Sequence, residues 1–230
     1  YVAFLDADDF YLENRFVNDK KIFKINKDAD GVYNAVGFHF YNEFKSLEVE
    51  NSELYTVNKI VNPEDLFEVL ISGKHGHFQI DGLTVRKSIF NFIGLFNETL
   101  AVAEDTDIFW KMAIKSKLYP GIIDQPLAIR GIHNSNVFYR DDLYEKYTIK
   151  MYESLIFWSN KNQVPIAKAD TLFKWIWLLT YKEKNTLTNY TKYWSYLFIK
   201  SPRFLFSPLS IKYFPIIRLR QKLFPFLYNK

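Results

Sequence analysis

The sequence predicts an α/β fold in which a mixed sheet is flanked by helices and is followed by an aromatic, basic helical tail. The chain opens with an apolar run that stops abruptly at Asp6, and short β-rich runs then alternate with helix-like segments as far as residue 136. From Tyr139 onward the pattern is helical and aromatic. We therefore expect an α/β domain over residues 1–136, a helical extension over 137–189 and a separate tail over 190–230.

The elements of the first domain follow from local patterns. Apolar, aromatic and β-branched runs indicate strands, whereas apolar residues at helical spacing indicate helices. In chain order we expect a buried strand at 1–5, a helix at 14–26, strands at 32–41 and 54–61, a helix from 63, a strand at 79–86, a short helix at 87–92, a helix at 104–117, and strands at 119–123 and 127–132.

Two of these helices carry the clearest signals. Pro63 suits a first helical position with Asn62 as its N-cap, and Gly73 provides an end. The helix at 104–117 has an apolar stripe and an acidic first turn, and the pattern places Lys111 on a wetter face.

Composition limits the classes of function. The 230 residues are 48% apolar, which indicates a globular body, and the absence of cysteine excludes disulfides and thiolate metal sites. No window reaches the roughly 18 apolar residues that a membrane-spanning helix needs. Residues 181–230 carry +9, so residues 1–180 carry −5 of the total of +4. An acidic body is a poor partner for nucleic acid, whereas a basic, aromatic tail suits an anionic bilayer surface.

The first candidate site is the acidic segment that follows the opening strand. Asp6, Asp8 and Asp9 share one turn and repel one another unless a cation or a solvated loop relieves them. Hard oxygen ligands of this kind suit Mg²⁺ or Mn²⁺. The structural alternative is that these residues cap the turn and add solubility.

Two later segments supply further candidates. Glu104 and Asp105 begin a helix, where acidic residues complement the helix dipole, but the apolar residues 100–103 before them favour a position in a pocket. A desolvated carboxylate there can accept a proton from an attacking hydroxyl. His133 ends a predicted strand and could add a neutral imidazole to a metal site, although a lone histidine is more often structural.

Four segments together resemble a known family. They read FLDADD at 4–9, GLFNE at 94–98, EDTDIFWKMA at 104–113 and RGIHNSN at 130–136. In order and approximate spacing they resemble the inverting family 2 glycosyltransferases of the GT-A fold. The resemblance covers about residues 1–136 and implies the C-terminal part of a GT-A, Rossmann-like domain.

That family usually carries two βα units upstream, which form the nucleotide-binding half, and this sequence lacks them. The chain also begins at Tyr1 and not at a methionine. We therefore expect a fragment of a longer protein, and we expect the 230 residues alone to bind a nucleotide-sugar weakly.

The resemblance implies a donor and metal site. Asp6 and Asp8 match the Asp-x-Asp element, which holds the ribose and diphosphate of the donor together with a divalent metal. His133 matches a histidine that is often a further metal or diphosphate ligand. The implied metal ligands are therefore Asp6, Asp8 and His133, and the implied cofactor is Mg²⁺ or Mn²⁺.

The resemblance also implies a reaction. Asp105 matches the catalytic base, and Glu104 and Arg130 are expected on the substrate and acceptor side, Arg130 near the phosphates. A hydroxyl of a saccharide or lipid-linked acceptor loses its proton to Asp105 as it attacks the anomeric carbon of a nucleotide-diphosphate sugar, with inversion. The expected role is surface polysaccharide synthesis.

The tail and the competing functions complete the expectations. Residues 190–230 interleave aromatic and basic side chains and are expected either to pack on the body or to attach the protein peripherally to the cytoplasmic face of the cell membrane. One alternative function is a phosphotransferase of the haloacid dehalogenase type, which also places Asp-x-Asp after an apolar strand. The other is a non-catalytic, membrane-associated module that resembles a transferase.

Overall fold

A computed structural model describes residues 1–41, 54–133, 140–182, 188, 191, 195 and 198–204. The chain divides into two compact units. The first comprises Tyr1–Glu98 and Glu104–Asp141, and the second comprises Thr99–Ala103 and Asp142–Lys230. The boundaries predicted at residues 136 and 189 stay predictions.

The first unit is built on two mixed sheets. Its strands are β1 (Val2–Ala3), β2 (Phe10–Tyr11), β3 (Gly31–Tyr33), β4 (Val36–Phe40), β5 (Leu83–Val85), β6 (Leu118–Pro120) and β7 (Ala128–Ile132). One sheet has the order β1-β5-β3-β6, in which only the β3–β6 pair is parallel. The other has the order β2-β7-β4, in which β4 and β7 are parallel.

Helices flank these sheets, which confirms the predicted α/β class with mixed sheets. The helices of the first unit are α1 (Val17–Ile25), α2 (Leu66–Ser72), α3 (Phe90–Ile93) and α4 (Glu104–Lys115), with 3₁₀ turns at Pro63–Asp65, Ile80–Gly82 and Lys87–Ile89. Helix α1 packs on β3, and α2 and α3 pack on α4. The core between them is apolar and includes Val32, Leu83, Val85, Ile108 and Met112, each 2% exposed or less.

Several predicted element boundaries change in the structure. The strand predicted as buried at 1–5 is a two-residue edge strand with Leu5 48% exposed, because β1 pairs with β5 on one side only. The strand predicted at 54–61 is wrong, since only a single bridge joins Tyr55 to Val36. The helix from Pro63 is confirmed, and Gly73 ends it with a φ of 66°, but the side chain of Asn62 makes no capping hydrogen bond.

The predicted wetter face of α4 is also wrong at one position. Lys111 is 5% exposed, because its ammonium group forms an ion pair with the fully buried Asp107 one turn earlier. An i,i+4 pair of this kind allows a lysine to lie in the core-facing stripe.

The second unit is helical, as the pattern predicts. Helices α5 (Asp141–Lys161) and α6 (Ile166–Lys182) precede a 3₁₀ turn at Pro202–Phe204. The ring of Phe198 stacks on Phe173 of α6 at a centroid distance of 6.2 Å. Most of the predicted tail at 190–230 lies outside the described residues. In the part of the chain that is described, no helix combines the length and the apolar character needed to cross a membrane.

A buried polar network joins α1 to the sheet. Arg15 and Asp19 form an ion pair at 2.8 Å with both side chains 2% exposed. The carboxylate of Asp19 also accepts hydrogen bonds from the amide of Asn34 on one oxygen and from the hydroxyl of Thr84 on the other. Arg15 in turn donates two hydrogen bonds to the carbonyl oxygen of Asp81. This network therefore fixes the residue-81 turn against α1.

We predict that Asp19→Ala destabilises the protein by about 3–5 kcal/mol, because it leaves the buried guanidinium of Arg15 without its carboxylate. Urea denaturation of the two proteins measures the difference. Asp28→Ala is the matched control, since Asp28 forms an exposed ion pair with Lys117 and its loss should change stability little. Equal effects of the two substitutions would contradict the prediction.

Candidate functional site

The acidic turn at residues 6–9 lies beside the end of strand β7. The turn is closed by a hydrogen bond from the amide of Asp9 to the carbonyl of Asp6 at 3.2 Å, and β2 begins at the next residue. Because β2 pairs antiparallel with β7, with Phe10 opposite Ile129, the turn is carried to residues 130–133. The hydroxyl of Tyr11 donates to the carbonyl of Phe4 at 2.5 Å and joins the two ends of the segment.

Glycine at position 131 permits this close approach. A Cβ atom there would lie 2.5 Å from the carbonyl oxygen of Asp8 and 2.7 Å from the ring of Tyr41. The amide of Gly131 donates to Oδ1 of Asp9 at 2.8 Å. The Arg-Gly-x-His segment therefore brings β7 against the acidic turn because its second residue has no side chain.

Asp8 and His133 form a direct contact. Nε2 of His133 lies 2.8 Å from Oδ2 of Asp8, and both side chains are about one-third exposed, at 32% and 39%. The structure thus brings together two of the residues predicted as metal ligands. An imidazole and a carboxylate at the edge of a pocket are both acceptable ligands for a divalent cation.

A second group of carboxylates surrounds Asp6. One oxygen from each of Asp6, Asp9 and Asp81 lies within 4.8 Å of the other two, the only such group of three potential ligands in the described part of the chain. The backbone amide of Asp6 donates to Oδ1 of Asp81 at 3.0 Å. Asp81 is fully buried, whereas Asp6 is exposed. The group therefore has an enclosed side and an open side.

Asp81 was not predicted as a site residue. The pair Asp81-Gly82 is typical of a turn, although it lies inside the predicted strand at 79–86. The structure places Asp81 in a 3₁₀ turn before β5. Its position beside Asp6 depends on the pairing of β1 with β5, which joins residues about eighty positions apart. The one available signal was a carboxylate inside a β-rich run.

The surroundings of Asp81 and Asp6 disfavour ionisation of their carboxyl groups. Burial, which has the largest effect, and the neighbouring carboxyl of Asp9 raise the pKa of Asp81 to about 8, against the opposing effect of the Asp6 amide. Although Asp6 is exposed as a residue, partial desolvation of its carboxyl raises its pKa, and the charges of Asp9 and Asp8 add to this effect. Full ionisation of this group without a cation is therefore electrostatically unfavourable at neutral pH.

Asp105 and Arg130 line one cavity of about 190 Å³. Oδ1 of Asp105 accepts a hydrogen bond from the amide of Thr106 at 2.6 Å, which fixes the orientation of the carboxylate. The cavity wall is aromatic, with Tyr55, His77, Phe78, Phe109 and Trp110 among its lining residues. Its volume is below the roughly 300–1,000 Å³ of sites that enclose a drug-sized ligand, so it suits part of a substrate.

Charge effects connect this cavity to the acidic turn. Burial has the largest effect on the pKa of Asp6 and raises it. The positive charge of Arg130 lowers this pKa, and the negative charge of Asp105 raises it. Burial also raises the pKa of Glu104, and the charges of Asp105 and Asp6 add to it. Four of the predicted site residues, Asp6, Glu104, Asp105 and Arg130, thus share one electrostatic environment.

The predicted metal ligands are divided between two contacts. Asp6 belongs to the group with Asp9 and Asp81, while Asp8 pairs with His133. The ligand set of Asp6, Asp8 and His133 stays a prediction, as do the roles given to Asp105, Glu104 and Arg130.

Comparisons with known proteins add no assignment. No protein-family model matches the chain, and no curated protein shows significant similarity to it. The functional argument therefore depends on the residues and their geometry.

We predict that Gly131→Ala destabilises the protein by about 1–3 kcal/mol, because the added Cβ collides with the carbonyl of Asp8. Gly37→Ala, in the neighbouring strand β4, is the control. There the nearest atom, at 2.9 Å, is the end of the Ile129 side chain, which can move. Urea denaturation should show a clearly larger loss for position 131, and the reverse order would refute the prediction.

We predict that stability in the presence of EDTA falls between about pH 4 and pH 8 and that Asp81→Asn reduces the fall. The raised pKa means that the folded state keeps a proton that the unfolded state has released, so each rise in pH favours unfolding until Asp81 ionises near pH 8. One proton gives a slope of at most about 1.4 kcal/mol per pH unit. Denaturation at several pH values measures both slopes, and identical slopes would exclude Asp81 as the cause.

Proposed function

We propose that the chain is the catalytic part of an inverting glycosyltransferase of the GT-A type. In this proposal it transfers a sugar from a nucleotide-diphosphate donor to a hydroxyl of a saccharide or lipid-linked acceptor. The observation that carries the proposal is the shared cavity of Asp105 and Arg130 beside Asp6, since these residues come from three separate segments of the chain. The resemblance of those same segments to family 2 glycosyltransferases supports it.

Asp105 is the proposed general base. Its carboxylate lines the cavity and has a fixed orientation through Thr106. A base must lie within hydrogen-bonding reach of the proton that it removes, and a hydroxyl in a cavity of about 190 Å³ meets that condition. Loss of the proton to Asp105 makes the hydroxyl a stronger nucleophile toward the anomeric carbon. A single displacement of this kind inverts the anomeric configuration.

The aromatic wall is the proposed acceptor side. A sugar ring has apolar C–H faces that can pack on Trp110 and Phe109, and its hydroxyls need polar partners. Burial lowers the pKa of His77, so its imidazole is neutral near pH 7 and can both donate and accept a hydrogen bond. Glu104, at the start of α4, is proposed to bind the same substrate.

The donor diphosphate is proposed to lie between Arg130 and the acidic turn. A guanidinium group can bind two phosphate oxygens at once. Asp6, Asp8 and His133 are carboxylate and imidazole groups of the type that binds Mg²⁺ or Mn²⁺, and the contact between Asp8 and His133 would supply two of the predicted ligands. A divalent cation supplies charge stabilisation for a departing diphosphate. Arg130 and the acidic turn are thereby proposed to orient the donor with its anomeric carbon toward Asp105.

The cellular setting is part of the proposal. A lipid-linked acceptor requires the enzyme to work near a membrane, and residues 190–230 could provide peripheral attachment through aromatic and basic side chains. Liposome flotation with and without residues 205–230 tests this point, because equal flotation of the two proteins excludes residues 205–230 as the anchor.

We predict that Asp105→Asn lowers kcat by about 10²–10⁴-fold while donor binding is retained, because the amide keeps the shape of the carboxylate but cannot accept the proton. Sugar transfer should be measured in the longest form of the protein that can be expressed, with a panel of nucleotide-sugars. Asp124→Asn, at an exposed turn, is the matched control. Unchanged turnover would remove Asp105 as the base, and transfer with retention of configuration would exclude the proposed displacement.

A further inference from the structure

In the group formed by Asp6, Asp9 and Asp81, some buried carboxylate oxygens accept no hydrogen bond in the described structure. Oδ1 of Asp9 accepts from the amide of Gly131, and Oδ1 of Asp81 accepts from the amide of Asp6. The second oxygen of each, Oδ2, is enclosed and has no hydrogen-bond partner in the described structure. Asp81 is 0% exposed and Asp9 is 9% exposed. Buried carboxylate oxygens without partners are costly, so this arrangement requires a separate explanation.

Local structure does not provide that explanation. Neither residue caps a helix through its side chain, and the guanidinium of Arg15 binds the carbonyl of Asp81 and the carboxylate of Asp19, not the carboxylate of Asp81. Burial and the neighbouring carboxyl of Asp9 also oppose ionisation of Asp81, which raises its pKa.

We propose that Asp6, Asp9 and Asp81 bind a divalent cation, with Asp81 as a ligand supplied by the 3₁₀ turn before β5. One oxygen from each carboxylate lies within 4.8 Å of the others, a separation that a single ion with metal–oxygen distances of about 2.0–2.6 Å can span. The ion can enter from the side of Asp6, which is exposed, and reach the enclosed oxygens of Asp9 and Asp81.

The geometry favours this set because its backbone is fixed. Arg15 anchors the carbonyl of Asp81, the amide of Gly131 orients Asp9, and the amide of Asp6 bonds to Asp81 itself. Ligands whose positions are fixed before binding lose little freedom when the ion arrives. The site would tie the acidic turn to β5 as well as to β7. The proposal rests on the proposed function only in placing the ion beside the donor diphosphate.

The test is a titration of the protein with Mn²⁺ alone, in which the electron paramagnetic resonance signal of the free ion measures binding. The titration is then repeated with UDP present. We expect the wild-type chain to bind one Mn²⁺ and Mg²⁺ to compete. Asp81→Asn and Asp9→Asn should each weaken Mn²⁺ binding at least about tenfold. Asp28→Asn, which changes an exposed carboxylate paired with Lys117, should leave it unchanged.

Folding of each variant is checked by its near-ultraviolet circular dichroism. Because a buried substitution could prevent folding, a second measurement uses the wild-type protein alone. Mn²⁺ should raise its melting temperature, and prior addition of EDTA should abolish the rise. Absence of this rise, or of Mn²⁺ binding with and without UDP, overturns the proposal.

The outcomes also separate this proposal from the proposed function. If Asp81→Asn and Asp9→Asn bind Mn²⁺ like the wild type while Asp8→Asn does not, the ligand set proposed for Asp81 is wrong and the glycosyltransferase proposal stands. If Asp105→Asn keeps full turnover while Mn²⁺ binding still requires Asp81, the catalytic proposal fails and the cation site stands.

Discussion

The buried ion pair between Arg15 and Asp19 is the interaction on which the rest of the site depends. Both side chains are 2% exposed, so each charge is stable only because the other is present. The guanidinium donates two further hydrogen bonds to the carbonyl of Asp81, and the carboxylate of Asp19 accepts from Asn34 and Thr84. One pair therefore joins α1, the link between β3 and β4 at Asn34, β5 and the residue-81 turn. Asp81 can remain buried beside Asp6 because this network fixes its backbone.

The same network explains where local patterns predict the fold and where they do not. Residues 32–41 form one β-rich run, yet the run divides between two sheets at Asn34 and Ala35. Asn34 donates to Asp19 and to the carbonyl of Gly82, and its Oδ1 accepts from the amide of Ile122. These partners are distant in sequence. No local propensity contains that information, so a continuous strand was the natural prediction.

The candidate site divides in the same way. Asp105 and Arg130 belong to segments whose local pattern is distinctive, and both line the cavity. Asp81 is a functional candidate only after β1 pairs with β5 and brings its turn to Asp6. Lys111 was predicted on a wetter face because lysine usually faces solvent, but it is buried through its ion pair with Asp107. Sequence therefore indicates which chemistry a segment can offer, and tertiary pairing determines which segments offer it together.

Carboxylates that lie close together at one end of a sheet lower the stability of the fold, and this loss bears on what the site binds. Burial and mutual repulsion raise the pKa values of Asp6, Asp81 and Glu104, while Arg130 offsets only part of the effect at Asp6. If these residues served only to close turns, neutral polar side chains such as asparagine would do so without repulsion. Three acidic residues from two segments, with enclosed oxygens that lack hydrogen-bond partners in the described part of the chain, are the basis of the cation site that we propose. In the proposed cation site, the stability that mutual repulsion costs the ion-free chain would become binding energy for the cation, because binding would remove the repulsion.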